Sequence, residues 1–564
     1  QLGCRIVSFQ PLFLPTFRYI SQYQSNKKFT VDGAITSQTC SEYYFVDPTK
    51  ENRRVIIPEI LFGSYVIFYG PRGSGKSTQM HNVREQLKGD FICMAISFKD
   101  GVDFGCLDSF WASFGRRLSF DNKHVNLPQI NSASDFVSLL SNTEREKFFH
   151  GKDVVLFVDD LHLIYQGPPE ILNSFYGLLR GIKEFRVNYC LHSFVGIGPF
   201  NILSLAAKSH IPFDVQHPHQ VRFWTREEVH QLFSQYSTTI DRRIIDDIYE
   251  RTAGHPGLVC LCGKIIDEQE PSLMENYDLW LQYARKHLVE QVISWPAMRE
   301  MVEMICNPSS DAERARSLLR KYYLPSGISP VSLYTPDSPY KNFLAVAGAV
   351  LYGEHSTFII SSPLVHKLLL ERAVIKDMRR NIPKTGVPYI KEGTSVDVVN
   401  LVESAVACID PLAVQRGCRA SWKRTTLPGL KRVCILPKET VYQIELYSIL
   451  RQWFSDEVEI NTQVNLPSED SYSQCEIIIE PSVVSRIVIE LVTNVPPSIL
   501  KEHYSRAIEY GKRLNATEVW VIHFTIKVDG EDFQYPWPQD EASNVIHVWH
   551  SADFSSFRIF CNKK

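Results

Sequence analysis

Apolar runs and helical periodicities alternate along the first 220 residues. Runs at 65–69, 91–97, 154–158 and 189–196 are short and nearly unbroken, the pattern of strands buried on both faces. Stretches 77–87, 104–118, 135–149 and 169–185 place apolar residues at helical spacing between them. Residues 221–223 offer a last strand. Strand and helix taking turns predict a parallel sheet in an α/β layer structure.

The rhythm then changes. Thr225-Arg226-Glu227-Glu228 reads as a capping box opening a helix to residue 236, and 240–252 is a further helix. Gly254-His255-Pro256-Gly257 ends one helix and starts the next, with Pro256 suited to a first turn. Residues 276–323 are helical throughout. An apolar run at 344–352, a strand-like stretch at 356–360 and a helix at 364–372 give the order of a winged helix, expected here to relay a state rather than to read DNA. Near the C-terminus an amphipathic helix, 441–454, precedes strands at 458–464, 475–480 and 486–493, a helix at 498–514 and a strand at 518–524. Ahead of the first strand, Pro58-Glu59 is expected to start a short helix. The predicted organisation is a lead-in segment, 1–50; a sheet domain, 51–222; a helical lid, 223–290; a helical and winged-helix-like region, 291–375; a linker with a basic cluster, 376–435; and a second α/β domain, 436–564.

The chemistry enters at the end of the first predicted strand. Gly70-Pro71-Arg72-Gly73-Ser74-Gly75-Lys76-Ser77-Thr78 has the spacing of a phosphate-binding P-loop, with a strand before it and a helix after it. Glycines allow the tight turn that points backbone N–H groups at anionic oxygens, and the helix N-terminus adds its dipole. Lys76 is expected to reach the β- and γ-phosphates and Ser77 to hold Mg2+. The run 154–158 ends in Asp159-Asp160, the Walker B pattern: Asp159 for the metal, Asp160 for the attacking water. His255 either faces the nucleotide or is an ordinary polar residue of an interhelix turn. Ser193 reads as a satisfied hydroxyl within its strand. The reading is an AAA- or STAND-like P-loop NTPase binding ATP or GTP with Mg2+.

Composition narrows the rest. The chain has 564 residues, 22% charged and 44% hydrophobic, as in ordinary globular protein. A net charge of −3 supplies no global pull on nucleic acid, so any basic groove is local. Two clusters qualify: Lys376, Arg379, Arg380 and Lys384; and Arg416, Arg419, Lys423, Arg424, Lys431 and Arg432 around Trp422. Thirteen cysteines show no metal-like pairing, and Cys260 and Cys262 lie in an apolar helical stretch, which points to reduced thiols and a reducing compartment. No apolar run approaches bilayer length, and no membrane partner is expected.

The second α/β domain has the element order of the restriction-endonuclease-like fold. In that fold acidic residues at strand ends hold Mg2+ against a phosphodiester. Glu490 stands where the acidic residue of a Glu-x-Lys element belongs, Glu476 where the preceding Asp belongs, and Glu445 on the first helix. Val492 occupies the lysine position, on the same strand face as Glu490. Lys501, Glu502 or His503 would have to supply the missing group, and a domain that binds without cutting is the rival reading.

Both halves together resemble the Crinkler effectors of oomycetes and fungi and the related retrotransposon hot spot proteins of trypanosomes. The residues that carry the resemblance are the P-loop, Asp159-Asp160, Thr252-Ala253-Gly254-His255-Pro256-Gly257, 358–363, Ile489-Glu490-Leu491, Lys501-Glu502-His503-Tyr504-Ser505-Arg506 and Val521-Ile522-His523-Phe524. The resemblance covers about 50–560. It implies an NTPase that regulates a nuclease-type effector domain, with DNA and host nuclear proteins as partners. It also implies secretion followed by action in a host nucleus; otherwise an intracellular address, cytoplasm or nucleus, is expected. An oligomer is compatible with the reading. A nucleotide-gated scaffold is the alternative, and a motor ranks last because no pore-loop aromatic motif stands out.

Overall fold

The computed structural model describes residues 27–203, 218–236, 240–269, 276–332, 338–353, 357–374, 395–415, 433–454, 458–466, 473–482, 485–495, 497–526 and 544–561, with short pieces at 272, 390–391 and 422–426. Helix α1, Thr49–Phe62, leads into strand β1, Tyr65–Tyr69, and helix α2 is Lys76–Leu87. Next come β2, Phe91–Ser97, α3, Leu107–Asp121, β3, Asp153–Asp159, α4, Pro169–Glu184, β4, Leu191–Gly198, and the two-residue β5, His219–Gln220. The sheet order is β2-β3-β4-β1-β5, parallel throughout. Strand β4 therefore separates the P-loop strand from the strand that ends in Asp159.

Period two sorts the sheet's side chains into two layers. On β3, Val154, Leu156 and Val158 pack with α3 and α4 residues such as Phe110, Trp111 and Phe175. Val155 and Phe157 face the other way, against Ile56 and Ile60 of α1 and Met80 and Val83 of α2. Pro58 lies inside α1 instead of starting a short helix. The helix begins a full two turns earlier, at Thr49, and the apolar Ile56 and Ile60 hold it to the sheet despite the proline.

The helical region begins with α5, Arg226–Ser234, α6, Arg242–Thr252, and α7, Pro256–Lys264. The capping box forms: Glu228 N donates to Thr225 Oγ1 at 3.3 Å and Thr225 N to Glu228 Oε2 at 2.8 Å. Helix α8, Pro296–Cys306, follows. The winged-helix-like region has a hairpin of β6, Val350–Tyr352, and β7, Phe358–Ile360, with Val331 bridged to Phe358. The helix after the hairpin, α9, Pro363–Leu369, buries Leu364, Val365, His366, Leu368 and Leu369, so it is a core element and offers no face to a nucleic-acid groove.

The stretch expected to be a linker contains a helix, Val398–Ala407, with Val398, Leu401, Val402 and Ala405 buried at helical spacing. That periodicity gives it a packed face, and it rests on the first helix of the C-terminal domain, α10, Glu439–Trp453. Strands β8, Glu459–Leu466, β9, Ser473–Ser482, and β10, Ser485–Thr493, follow, then α11, Pro497–Arg513, β11, Glu518–Ile526, β12, Asn544–His550, and β13, Phe557–Cys561. They form one six-stranded sheet in chain order, antiparallel except for the parallel pairs β10–β11 and β11–β12. One apolar cluster runs through Trp280, Met301, Leu368, Tyr447 and Ile489. The lid, the winged-helix-like region and this sheet thus share a core. No described helix is long and apolar enough to cross a membrane.

Candidate functional site

The nine residues 70–78 join β1 to α2 as a compact loop. Gly73 and Gly75 take left-handed φ values of 70° and 86°, conformations that cost a side-chain-bearing residue energy. Gly75 is the N-cap of α2 and provides no side-chain cap, so the helix's first N–H groups have no side chain of their own on them. Lys76 Nζ arches over the loop and donates to the carbonyls of Gly70 at 2.9 Å and Pro71 at 2.7 Å. Burial lowers its pKa to about 8, with Asp159 and Asp160 opposing the shift. Ser74 is buried and its Oγ has no hydrogen-bond partner. Thr78 Oγ1 accepts from Ile35 N at 3.1 Å.

Across β4, the tip of β3 meets this loop. Ser77 Oγ donates to Asp159 Oδ2 at 2.7 Å. A hydroxyl and a carboxylate at this separation are a hard, all-oxygen donor pair that fits Mg2+. Asp160 sits one residue further at φ 52°, a left-handed turn that Asp tolerates better than most residues. Burial and then Asp159 raise its pKa. Ser97 Oγ lies 3.4 Å from Asp160 Oδ2. Lys76, Ser77, Asp159 and Asp160 are therefore brought together, as the spacing predicted.

The lid presses on the loop. Gly257 N donates to Gly73 O at 3.0 Å. A Cβ on Gly73 or on Gly257 would run into the Trp295 indole, just before α8. Arg72 forms an ion pair with Glu300 of α8. Gly348, next to the hairpin, comes up against Pro71. His255 caps α7, its Nδ1 accepting from Leu258 N at 3.4 Å, and its ring lies 4.7 Å from that of Phe223. Burial lowers its pKa to about 4. His255 is thus a neutral cap packed beside Gly73.

Two contributors were not singled out in the sequence. Residues 27–48 cover the loop: Phe29 and Tyr44 pack on Phe233 and Tyr236, and Val31, Tyr44 and Val46 line a cavity of about 110 Å3 with Gly73, Thr78, Trp224 and Pro256. This segment has no periodicity, which hid it. His162 lies two residues beyond Asp160, and burial, with Arg72 and Lys76 adding, lowers its pKa to about 4. Its position just past the aspartates was the available signal. Ser193 is a satisfied buried hydroxyl, donating to Ser64 O at 2.6 Å.

The C-terminal acidic residues do not converge. Val488, Glu490 and Val492 point to the α11 side, where Val488 packs with Tyr510 and Val492 with Leu500 and Tyr504. Ile487, Ile489 and Leu491 point to the α10 side. Glu490 is buried; its Oε1 takes Arg506 Nε at 3.1 Å and lies 3.2 Å from His503 Nδ1, both from α11. Its Oε2 has no partner. Glu445, on α10, lies on the other side of the sheet. It is buried in a two-pronged ion pair with Arg320, Nε–Oε1 at 3.0 Å and Nη2–Oε2 at 2.7 Å. The expectation that Glu445 joins Glu490 in one catalytic set is therefore corrected: opposite faces of β10 separate them, and each has its own cation. Glu476 lies on β9 one residue from Ile477, which pairs with Ile489; its side chain lies outside the described residues. Of the candidates to replace lysine, His503 approaches Glu490, while Lys501 and Glu502 are exposed. Among the described residues no group of three or more His, Cys, Asp or Glu could hold a metal. Both basic clusters lie outside the described residues, apart from the backbone of residues 422–424. Cys260 and Cys262 are buried free thiols, as expected.

No family model matches the chain, and no curated protein matches it. Solved structures are similar over part of it. A Walker-type ATPase of Pyrococcus abyssi is 14% identical over 60% of this chain and 99% of that one, with a TM-score of 0.39. The ORC2 protein of Aeropyrum pernix is 15% identical over 59% of this chain and 94% of its own, with a TM-score of 0.37. Thermotoga maritima RuvB is 16% identical over 55% and 90%, with a TM-score of 0.30.

Proposed function

We propose that this protein binds and hydrolyses ATP and uses the cycle as a switch on its C-terminal domain. The observation that carries the reading is the 2.7 Å Ser77–Asp159 hydrogen bond beside a buried Lys76, set under a loop of left-handed glycines. In this reading the amides of 73–76 hold phosphate oxygens and Lys76 draws charge from the γ-phosphate. Ser77 and Asp159 hold Mg2+, which when bound neutralises charge on the phosphates. Asp160 orients a water and takes its proton as the oxygen bonds to the γ-phosphorus; the bond to the β-phosphate oxygen breaks, giving ADP and inorganic phosphate. The mainly apolar cavity formed by 31–48, Trp224 and Pro256 is where the base would lie. Labelled ATP with Mg2+ should release phosphate, and Lys76→Ala should not.

The route out of the site is the lid. Gly257, Trp295, Glu300 and Gly348 touch the loop, and Arg320 of the same helical body grips Glu445 of α10. A change at Gly73 thus has a packed path to the C-terminal sheet. For that sheet we favour DNA binding without cutting, because Glu490 and Glu445 lie on opposite faces and are each bound by an arginine. A plasmid incubated with Mg2+ or Mn2+ should be retarded and not nicked; nicking lost in Glu490→Ala would restore the endonuclease reading. Membership of the Crinkler group, host nuclear partners and delivery to a host nucleus stay with the sequence resemblance, and localisation of tagged protein in host cells tests them.

A further inference from the structure

A second cavity, of about 300 Å3, opens on the metal side of the P-loop helix. Ser77, Met80, His81 and Arg84 line it from α2, Ser97 from β2, Arg117 and Asp121 from α3, and Asp159 from β3. Positions 77, 80, 81 and 84 fall on one face of a helix, whereas Thr78 and Gln79, which line the cavity beside residues 31–48, fall on another. The two openings therefore flank α2: one on the side of the lid and Trp224, the other beyond the Ser77–Asp159 pair.

The charges in the second cavity are unbalanced. Asp121 is matched by Arg117, Nε–Oδ2 at 2.8 Å, and Asp159 is engaged by Ser77. Arg84 has no such partner. Its Nε is buried without a hydrogen bond, its Nη2 reaches only the Cys93 carbonyl at 3.5 Å, and no described carboxylate lies within ion-pair distance. A largely buried guanidinium without a counter-ion is costly. An oxyanion is the partner whose geometry suits its donor fork. His81 adds a ring that burial holds neutral, so it contributes hydrogen bonding and no charge.

We propose that this cavity is an inorganic-phosphate site, in which Arg84 and Arg117 receive the phosphate cleaved from the nucleotide and pass it out between α2, β2 and α3. The proposal rests on the hydrolytic reading above. It assigns entry and product exit to different faces of the same helix.

The test uses the full chain, inorganic phosphate, and the variants Arg84→Met, Arg84→Lys, Arg117→Gln and Lys76→Ala. Phosphate should raise the melting temperature of the wild type and of Lys76→Ala, whose P-loop site is disabled, and not that of Arg84→Met. Phosphate should inhibit ATP hydrolysis, and Arg84→Met should raise the inhibiting concentration about tenfold, the loss of one charge-assisted hydrogen bond, with the KM for ATP little changed. Arg84→Lys should recover part of the effect. If Arg84→Met does not fold, Arg117→Gln at the rim reads the same shift. In a single turnover followed with a phosphate reporter, Arg84→Met should change the delay between cleavage and release. Loss of all phosphate stabilisation in Lys76→Ala, or equal inhibition of wild type and Arg84→Met, overturns the proposal. An unchanged release delay alongside lost phosphate binding also overturns it, because the anion would then come from solution. A wild type that never hydrolyses ATP yet shows Arg84-dependent phosphate binding removes the parent reading and the exit route, leaving an anion site.

Discussion

The two sheets of this molecule treat their acidic residues in opposite ways. In the N-terminal sheet Asp159 is the last residue of β3, at the carboxyl edge of parallel strands, and its carboxylate meets the hydroxyl of Ser77 from another element. In the C-terminal sheet Glu490 lies within β10, beneath α11, and its carboxylate is taken by Arg506 and His503 of that covering helix. A carboxylate at a strand tip leaves one side open to a ligand. One buried under a helix must find an internal partner or pay desolvation, and once partnered it is structural. Position along the strand, more than residue type, separates the two.

The comparison can be broken at several points. Arg320→Ala would strand Glu445 as a buried charge without its cation; the loss should be about 3–5 kcal/mol in denaturant unfolding. Replacing both partners with apolar residues should restore most of it. Lys76→Ala should lower ATP turnover about 10²–10³-fold, because a charge aimed at the transferring phosphoryl group is removed. Gly73→Ala places a methyl group against the Trp295 indole and should cost about 1–3 kcal/mol, with weaker nucleotide binding. Trp295→Ala in the same chain should relieve the clash.

Acid should find the C-terminal sheet first. Burial lowers the pKa of His523 to about 3 and of His547 and His550 to about 4. These groups stay neutral in the fold but take a proton when unfolded below about pH 6.5. Stability therefore falls as pH drops from there toward 4, by about 1.4 kcal/mol per pH unit for each histidine. Melting followed at Trp520 or Trp549 should show it. The smallest effect should be Glu490→Gln on plasmid integrity: none, with wild type and variant leaving the plasmid equally intact.

The first sheet was legible because its signals are local. An apolar run, a nine-residue loop and a pair of aspartates each specify their own geometry, and a parallel sheet then has few ways to assemble them. The lid's capping box was readable for the same reason. Residues 27–48 were not, since they gain order only from Phe233, Tyr236 and Thr78 far along the chain. Pro58 misled because burial of Ile56 and Ile60 outweighs its local cost. At the C-terminus the order of elements was correct, but Glu445 was assigned by helix position alone. Which face of β10 it approaches is fixed by Arg320, 125 residues earlier.

The central claim is that loop 70–78 and the tip of β3 form one nucleotide site. Calorimetric titration of the full chain with ATP and Mg2+ tests it most directly. The account predicts saturable, metal-dependent uptake of one nucleotide per chain, abolished in Lys76→Ala and stripped of its metal dependence in Ser77→Ala. Folded wild-type protein that takes up no nucleotide, or binds it equally well in Lys76→Ala, would contradict it.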